Sequence, residues 1–159
     1  MADLERAAVM IVDLSTRLDC AASTAIEHVT TSRLLEYVAK PLVTFEPKQP
    51  NQLPDVWRDG TYWVELRLFG LIPLGKQAIV ISHPQQHPFT LRDNGHSPLI
   101  KRWDHTIEVA VEGTSTRYRD HVVVEAGWLT PLIWLFAQLF YRHRQRRWRR
   151  LAARHFRYE

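Results

Sequence analysis

The stretch WDHTIEVAVEGTSTRYRDHVVV, from Trp103 to Val124, alternates apolar and polar residues on both sides of Gly113-Thr114. A period of two marks a strand with one buried face, and a glycine-led pair between two such runs marks a hairpin turn. With Gly113 and Thr114 in the turn, Trp103 falls opposite Val124 and Glu112 opposite Ser115. One face then carries Trp103, His105, Ile107, Val109 and Val111 against Val124, Val122, Asp120, Tyr118 and Thr116. It is apolar except for His105, Asp120 and small or amphipathic groups. The other face sets Glu108 against Arg119, as a solvent-facing sheet surface should.

Working outward, each glycine falls between two patterned runs, which predicts a mostly stranded chain. Residues 15–20 read as a first strand. Ser23 and Thr31–Ser32 offer N-caps for short helices at 24–30 and 32–39. Leu42 to Glu46 reads as a second strand, followed by a loop over 47–60 that contains Pro47, Pro50 and Pro54. Further strands are expected at 61–69, 76–83, 88–93, 100–112 and 115–126. Taking Gly70 to Gly75 as a turn places Tyr62, Val64, Leu66 and Leu68 near His83, Ile81, Ile79 and Gln77. One helix runs from Thr130, its cap, past Leu151, with Pro131 at the first position, where a missing N–H costs nothing. Its stripe of Leu132, Phe136, Leu139 and Phe140 matches the apolar sheet face. The fold class is α+β, an antiparallel sheet curled around one long helix.

Composition agrees with one domain over 1–159. The chain is 45% hydrophobic and 11% aromatic, which excludes a disordered chain. Its single cysteine, Cys20, excludes an intramolecular disulfide framework and reads as a small hydrophobe. The start of the chain lacks the basic and apolar runs of a signal peptide. The longest apolar-rich stretch, Trp128 to Tyr141, is shorter than the roughly 20 residues a membrane span needs. A soluble cytoplasmic domain is therefore expected.

The element order, Trp57-Arg-Asp-Gly60, Gly70-Leu-Ile-Pro-Leu-Gly75, Trp103-Asp-His105 and Gly113-Thr-Ser-Thr-Arg-Tyr-Arg-Asp120 together resemble the START-like, or SRPBCC, superfamily. The nearest likeness is to its bacterial polyketide cyclase/dehydrase-type ligand-binding branch, and it runs from about residue 15 to 151. His105, Thr116 and Asp120 match the branch's His-containing strand and its Thr-x-x-x-Asp strand. The resemblance implies a helix-grip fold: a seven-stranded curved antiparallel sheet wrapped around a long C-terminal helix, with two short helices after the first strand. It also implies a hydrophobic cavity between sheet and helix. Members bind lipids, sterols, polyketides or hormones, and some catalyse cyclisation or dehydration.

Two readings of the inward residues follow. Tyr62, Val64, Leu66, Leu68, Ile79, Ile81, Trp103, His105, Ile107, Val109, Tyr118, Asp120, Val122 and Phe136 line a ligand cavity, or they fill a core. Likewise His105, Asp120 and Tyr118 form a catalytic group, with the carboxylate orienting the imidazole as a base, or a buried polar set that satisfies itself. The preferred function is binding of a lipid-, sterol- or polyketide-like molecule. The alternative is a cyclase or dehydratase in the same cavity. No cofactor is implied. His83-x-x-x-His87 lies between prolines with no acidic or thiol ligand beside it, so no metal site is expected. Neither a phosphate-binding glycine loop nor a Gly-x-Ser-x-Gly sequence occurs.

Charge is unevenly placed. The net +4 conceals a body, residues 1–141, that sums to −3 and an end, residues 142–159, that sums to +7. The run holds Arg142, Arg144, Arg146, Arg147, Arg149 and Arg150 with Trp148 among them. Basic groups favour a helix C-terminus by opposing its dipole. A peripheral contact with an anionic membrane surface is the second reading, with the arginines on headgroups and Trp148 and Phe156 at the interface. Nucleic acid is disfavoured.

Overall fold

The computed structural model describes residues 9–159. Strands β6 (Arg102–Glu112) and β7 (Ser115–Glu125) pair in the register expected from sequence, with Trp103 opposite Val124 and Glu108 opposite Arg119. Only Gly113 of the two loop residues has positive φ, at 62°. That is the pattern of a II′ turn, whose twist suits a hairpin and whose first residue favours glycine. The inner face is buried from His105 to Val109 and from Thr116 to Val124, whereas Val111 at the hairpin tip is exposed.

Strands β1 (Met10–Leu18), β2 (Val43–Gln49), β3 (Gly60–Leu68), β4 (Ile72–Gln86) and β5 (Phe89–Gly95) complete a seven-stranded antiparallel sheet in the order β1-β7-β6-β5-β4-β3-β2. Helices α1 (Ala22–Val29) and α2 (Ser32–Ala39) join the two edge strands, β1 and β2. A 3₁₀ turn at Gly127–Leu129 leads into α3 (Thr130–Ala153). This is the helix-grip arrangement.

Four boundaries differ from the sequence reading for physical reasons. The first strand begins at Met10 because it pairs with β7 along its whole length, from Met10–Val124 to Leu18–Thr116. Helix α1 starts before Ser23, with Ala21 at its N-cap and no side-chain cap, whereas Thr31 Oγ1 accepts the Leu34 N–H at 3.3 Å as expected. Strand β2 continues through Pro47, which lacks an N–H to donate to a ladder; an edge strand, paired on one side only, tolerates that, and the register with β3 shifts just after it. Thr130 is the first residue of α3 rather than its cap; its hydroxyl donates to Gly127 O at 2.7 Å and accepts from Ala126 N at 2.9 Å.

The β3–β4 hairpin turns earlier than expected. Phe69 and Gly70 both have positive φ, and the Leu71 N–H bonds Leu68 O at 3.0 Å, so the reversal takes Phe69 to Leu71. Gly75 instead pairs with Leu66, next to the irregularity where the register shifts. Tyr62 therefore lies opposite Ile79 and Val64 opposite Gln77, four positions along β4 from the expected partners. A shift by an even number leaves each side chain on its intended face.

The core has two parts. One gathers α1, α2 and the lower sheet around Leu18, Tyr118, Trp148 and Leu151. The other packs Val12, Val122 and Val124 against Ala137, Phe140 and Tyr141 of α3. The helix does not seat along the expected stripe. Only Phe140 of its four residues is buried, and Leu132 and Leu139 are 63% and 60% exposed. The buried side of α3 instead runs through Ala137, Tyr141, Arg144, Gln145, Trp148 and Leu151.

Candidate functional site

Because α3 rests on β1, β7 and α2, its N-terminal half stands away from the opposite strands. The space between is a cavity of about 530 Å³. Of the residues expected to line it, Leu66, Leu68, Ile79, Ile81, Trp103, His105, Ile107 and Phe136 do so. Leu132, Leu135 and Leu139 from α3, with Leu74 from the start of β4 and Leu99 from the β5–β6 loop, also line it and are exposed.

Six expected lining residues lie elsewhere. Tyr62 packs edge-on to Trp57, and its hydroxyl donates to Arg58 O at 2.8 Å. Val64 and Val109 are consumed by the core under the short helices, and Val122 by the packing of β7 on α3. Tyr118 stacks edge-on beneath Trp148, and Asp120 is fully enclosed behind His105. Each faces inward as expected, but at a level of the sheet that α3 or the short helices cover.

Asp120 is the centre of a hydrogen-bond set. Its Oδ1 is 2.7 Å from His105 Nε2 and accepts the Tyr118 hydroxyl at 2.9 Å. Its Oδ2 accepts from Gln145 Nε2 at 3.0 Å, and the same amide donates to Leu14 O at 2.9 Å. Burial alone would raise this carboxyl, but the hydrogen bond from His105, the charge of Arg144 and the Gln145 bond hold it below the usual carboxylate range. Burial pushes the His105 imidazole down against the opposing pull of Asp120. A neutral imidazole that donates through Nε2 to an ionised Asp120 satisfies both groups. The three expected candidates are thus brought together, but only His105 reaches the cavity.

Sequence reasoning missed the other polar groups of the wall. Asp93 pairs with His105 across β5 and β6, and its Oδ1 accepts the Val80 N–H at 2.8 Å. It is part of the cavity lining and only partly exposed, and burial raises its carboxyl to about 7. Tyr141 accepts a hydrogen bond from Trp103 Nε1 at 3.0 Å. Gln77 also faces the cavity, close to where Gly95 leaves room: a Cβ there would meet Gln77 Nε2 at 2.8 Å and Ala78 O at 2.9 Å. Arg144 is the largest miss, being only 5% exposed and part of the cavity wall. The signal was the helical spacing of Ala137, Tyr141, Arg144, Trp148 and Leu151, which outweighs the basic run around it.

The rest of that run is also partly committed. Trp148 is 1% exposed, with its indole N–H unpaired, so it offers no interfacial ring. Arg147 donates to Tyr37 O at 2.8 Å and lies over the Tyr37 ring. Arg149 bonds Thr16 Oγ1 at 2.8 Å while remaining exposed, and Arg142, Arg146 and Arg150 are exposed as expected. Phe156 stacks on His28 at 4.0 Å. Among the described residues no helix is long and apolar enough to cross a membrane. His83, from the expected close histidine pair, bonds Asp59 at 2.6 Å.

Asp93 makes the site sensitive to pH. An unfolded Asp titrates near 3.9, so the folded chain holds this proton more tightly. The resulting stabilisation is full below about pH 4 and is lost as pH rises through about 7. Asp93→Asn keeps an acceptor for the Val80 N–H and cannot ionise. Its melting temperature should gain on that of the parent by a few degrees between pH 5 and pH 8. A difference that stays flat across that range would show an ordinary carboxyl.

The family model described as a domain of unknown function, DUF8410, matches residues 16–154. No curated protein matches the chain. Among solved structures, TTHA0849 from Thermus thermophilus is similar at 14% identity, over 91% of this chain and 97% of that one, with a TM-score of 0.62. CV1439 from Chromobacterium violaceum is similar at 14% identity, over 89% and 96%, with a TM-score of 0.64. A START superfamily protein from Mycobacterium smegmatis is similar at 11% identity, over 91% and 97%, with a TM-score of 0.63. At such identities the likeness carries the fold and no particular ligand. A seven-stranded sheet gripping one long helix, matched in these structures nearly end to end, is the START-like fold, and the chain that adopts it here belongs to the DUF8410 family.

Proposed function

We propose that the protein binds a hydrophobic or amphipathic small molecule, of lipid, sterol or polyketide character, between the sheet and α3. The observation that carries this reading is the exposure of Leu132, Leu135 and Leu139, at 52–63%, on the rim of a cavity of about 530 Å³. Fully burying a leucine is worth roughly 1.5–3 kcal/mol, so a row of them facing an apolar space favours an apolar occupant. The volume lies within the range of about 300–1,000 Å³ typical of small-molecule sites. The START-like fold of its structural neighbours points the same way.

Nile red, a neutral apolar dye, should bind saturably with enhanced emission. Leu66→Trp, which places a larger ring on the cavity wall, should weaken that uptake at least tenfold while the protein stays folded. Non-saturable uptake, or uptake indifferent to the added ring, would reject the cavity.

A cyclase or dehydratase acting on a hydrophobic substrate is the second reading, favoured by the His105 imidazole in the cavity wall with Asp120 behind it. Under the binding reading Asp120 is structural. Asp120→Ala should then cost about 3–5 kcal/mol by stranding buried donors, and His105→Ala should keep Nile red binding. The enzyme reading instead requires a turnover on polyketide-like substrates that His105→Ala abolishes with dye binding intact.

Docking of a cytoplasmic protein to an anionic membrane is a separate proposal, resting on the exposed Arg142, Arg146, Arg149 and Arg150. Co-flotation with liposomes should then rise with their content of acidic lipid. Flotation indifferent to lipid charge rejects it.

A further inference from the structure

Arg144 is hard to explain as a purely structural residue. It is only 5% exposed, its Nε has no hydrogen-bond partner, and it forms no ion pair within 4.0 Å among the described residues. A guanidinium has five donors, and leaving buried donors unmet costs free energy. Aromatic rings flank it: the charge centre lies 5.0 Å from the Tyr141 ring centroid and 5.7 Å from that of Phe140. The carboxylate that might neutralise it, Asp120, has its oxygens committed to His105, Tyr118 and Gln145. Asp93 also acts on it, but from beyond ion-pair distance.

The guanidinium belongs to the same cavity whose far end is the leucine rim. We propose that Arg144 anchors an anionic headgroup, and that the occupant is an amphipathic carboxylic acid whose apolar chain runs toward Leu132, Leu135 and Leu139. A planar guanidinium fork matches a carboxylate with two parallel hydrogen bonds. A single charge is what the site accommodates. The other lining cation, Lys76, is exposed, and Asp93 would repel a dianion such as a phosphate monoester. Tyr141 adds a phenol oxygen that already accepts from Trp103, which leaves its own proton free to donate. This inference rests on the binding reading above and specifies its ligand class.

The test is displacement of Nile red by decanoic acid and by 1-decanol at pH 6, where the acid is ionised and Asp93 is mostly protonated. The two share a chain length and differ in the headgroup. The intact protein should bind the acid at least tenfold more tightly than the alcohol. Arg144→Met, which keeps an unbranched apolar stem and removes the guanidinium, should bring the acid down to the alcohol's affinity or below while Nile red still binds. Equal affinities for acid and alcohol in the intact protein overturn the inference and leave the cavity standing. So does a preference for the acid that survives in Arg144→Met. Displacement by neither compound, with no saturable dye uptake, overturns the binding reading itself. If Arg144→Met does not fold, the comparison of acid with alcohol on the intact protein still decides.

Discussion

The fold turns on one carboxylate. Asp120 of β7 receives hydrogen bonds from His105 on β6, Tyr118 on its own strand and Gln145 on α3, and Gln145 reaches on to the Leu14 carbonyl of β1. A buried carboxylate is tolerable only with its lone pairs met, so the geometry of these elements is mutually constrained. The Gln145 amide spans two strands at once and fixes the rotation of α3 about its axis. Once Gln145 faces β1 and β7, its neighbour Arg144 faces the cavity, and Tyr141 and Trp148, one turn to either side, face the core.

That rotation explains why the helix has two unlike halves. Its C-terminal half is rich in arginine and yet largely seated, because Trp148, Leu151 and Gln145 lie on the side that meets the sheet. Its N-terminal half is rich in leucine and yet partly unseated, because the strands opposite it curve away. The half whose composition looks like surface supplies the anchoring, and the half that looks like core borders open space. Arg147 and His143 strengthen the anchored half by donating to carbonyls of α2 and its C-cap, Tyr37 and Lys40.

Much of this was legible in the sequence, where local rules and the fold agreed. The β6–β7 register followed from a two-residue loop led by glycine, which leaves no freedom once the alternation is set. The joining of His105, Tyr118 and Asp120 followed from that register. The β3–β4 register did not, because two glycines offered themselves as turn residues and only packing decides which becomes the bulge. The inner face survived the error because the displacement was even. Leu132 and Leu139 share a face with Phe140 by periodicity, and periodicity says nothing of whether another element meets that face. Arg144 was hidden by its neighbours: a charge run reads as surface, although the phase of the helix already turned one of its members inward.

The leucine rim bears on how tightly the domain holds together as a whole. A protein that binds a molecule only when folded is stabilised by mass action, by about 2.7 kcal/mol when the free ligand is at one hundred times its dissociation constant. For a domain of 159 residues that increment moves the melting temperature by several degrees. If the proposed binding holds, the thermal stability of this chain is not a fixed property of its sequence but follows what fills the space that Leu132, Leu135 and Leu139 border, and how much of that molecule the surroundings supply.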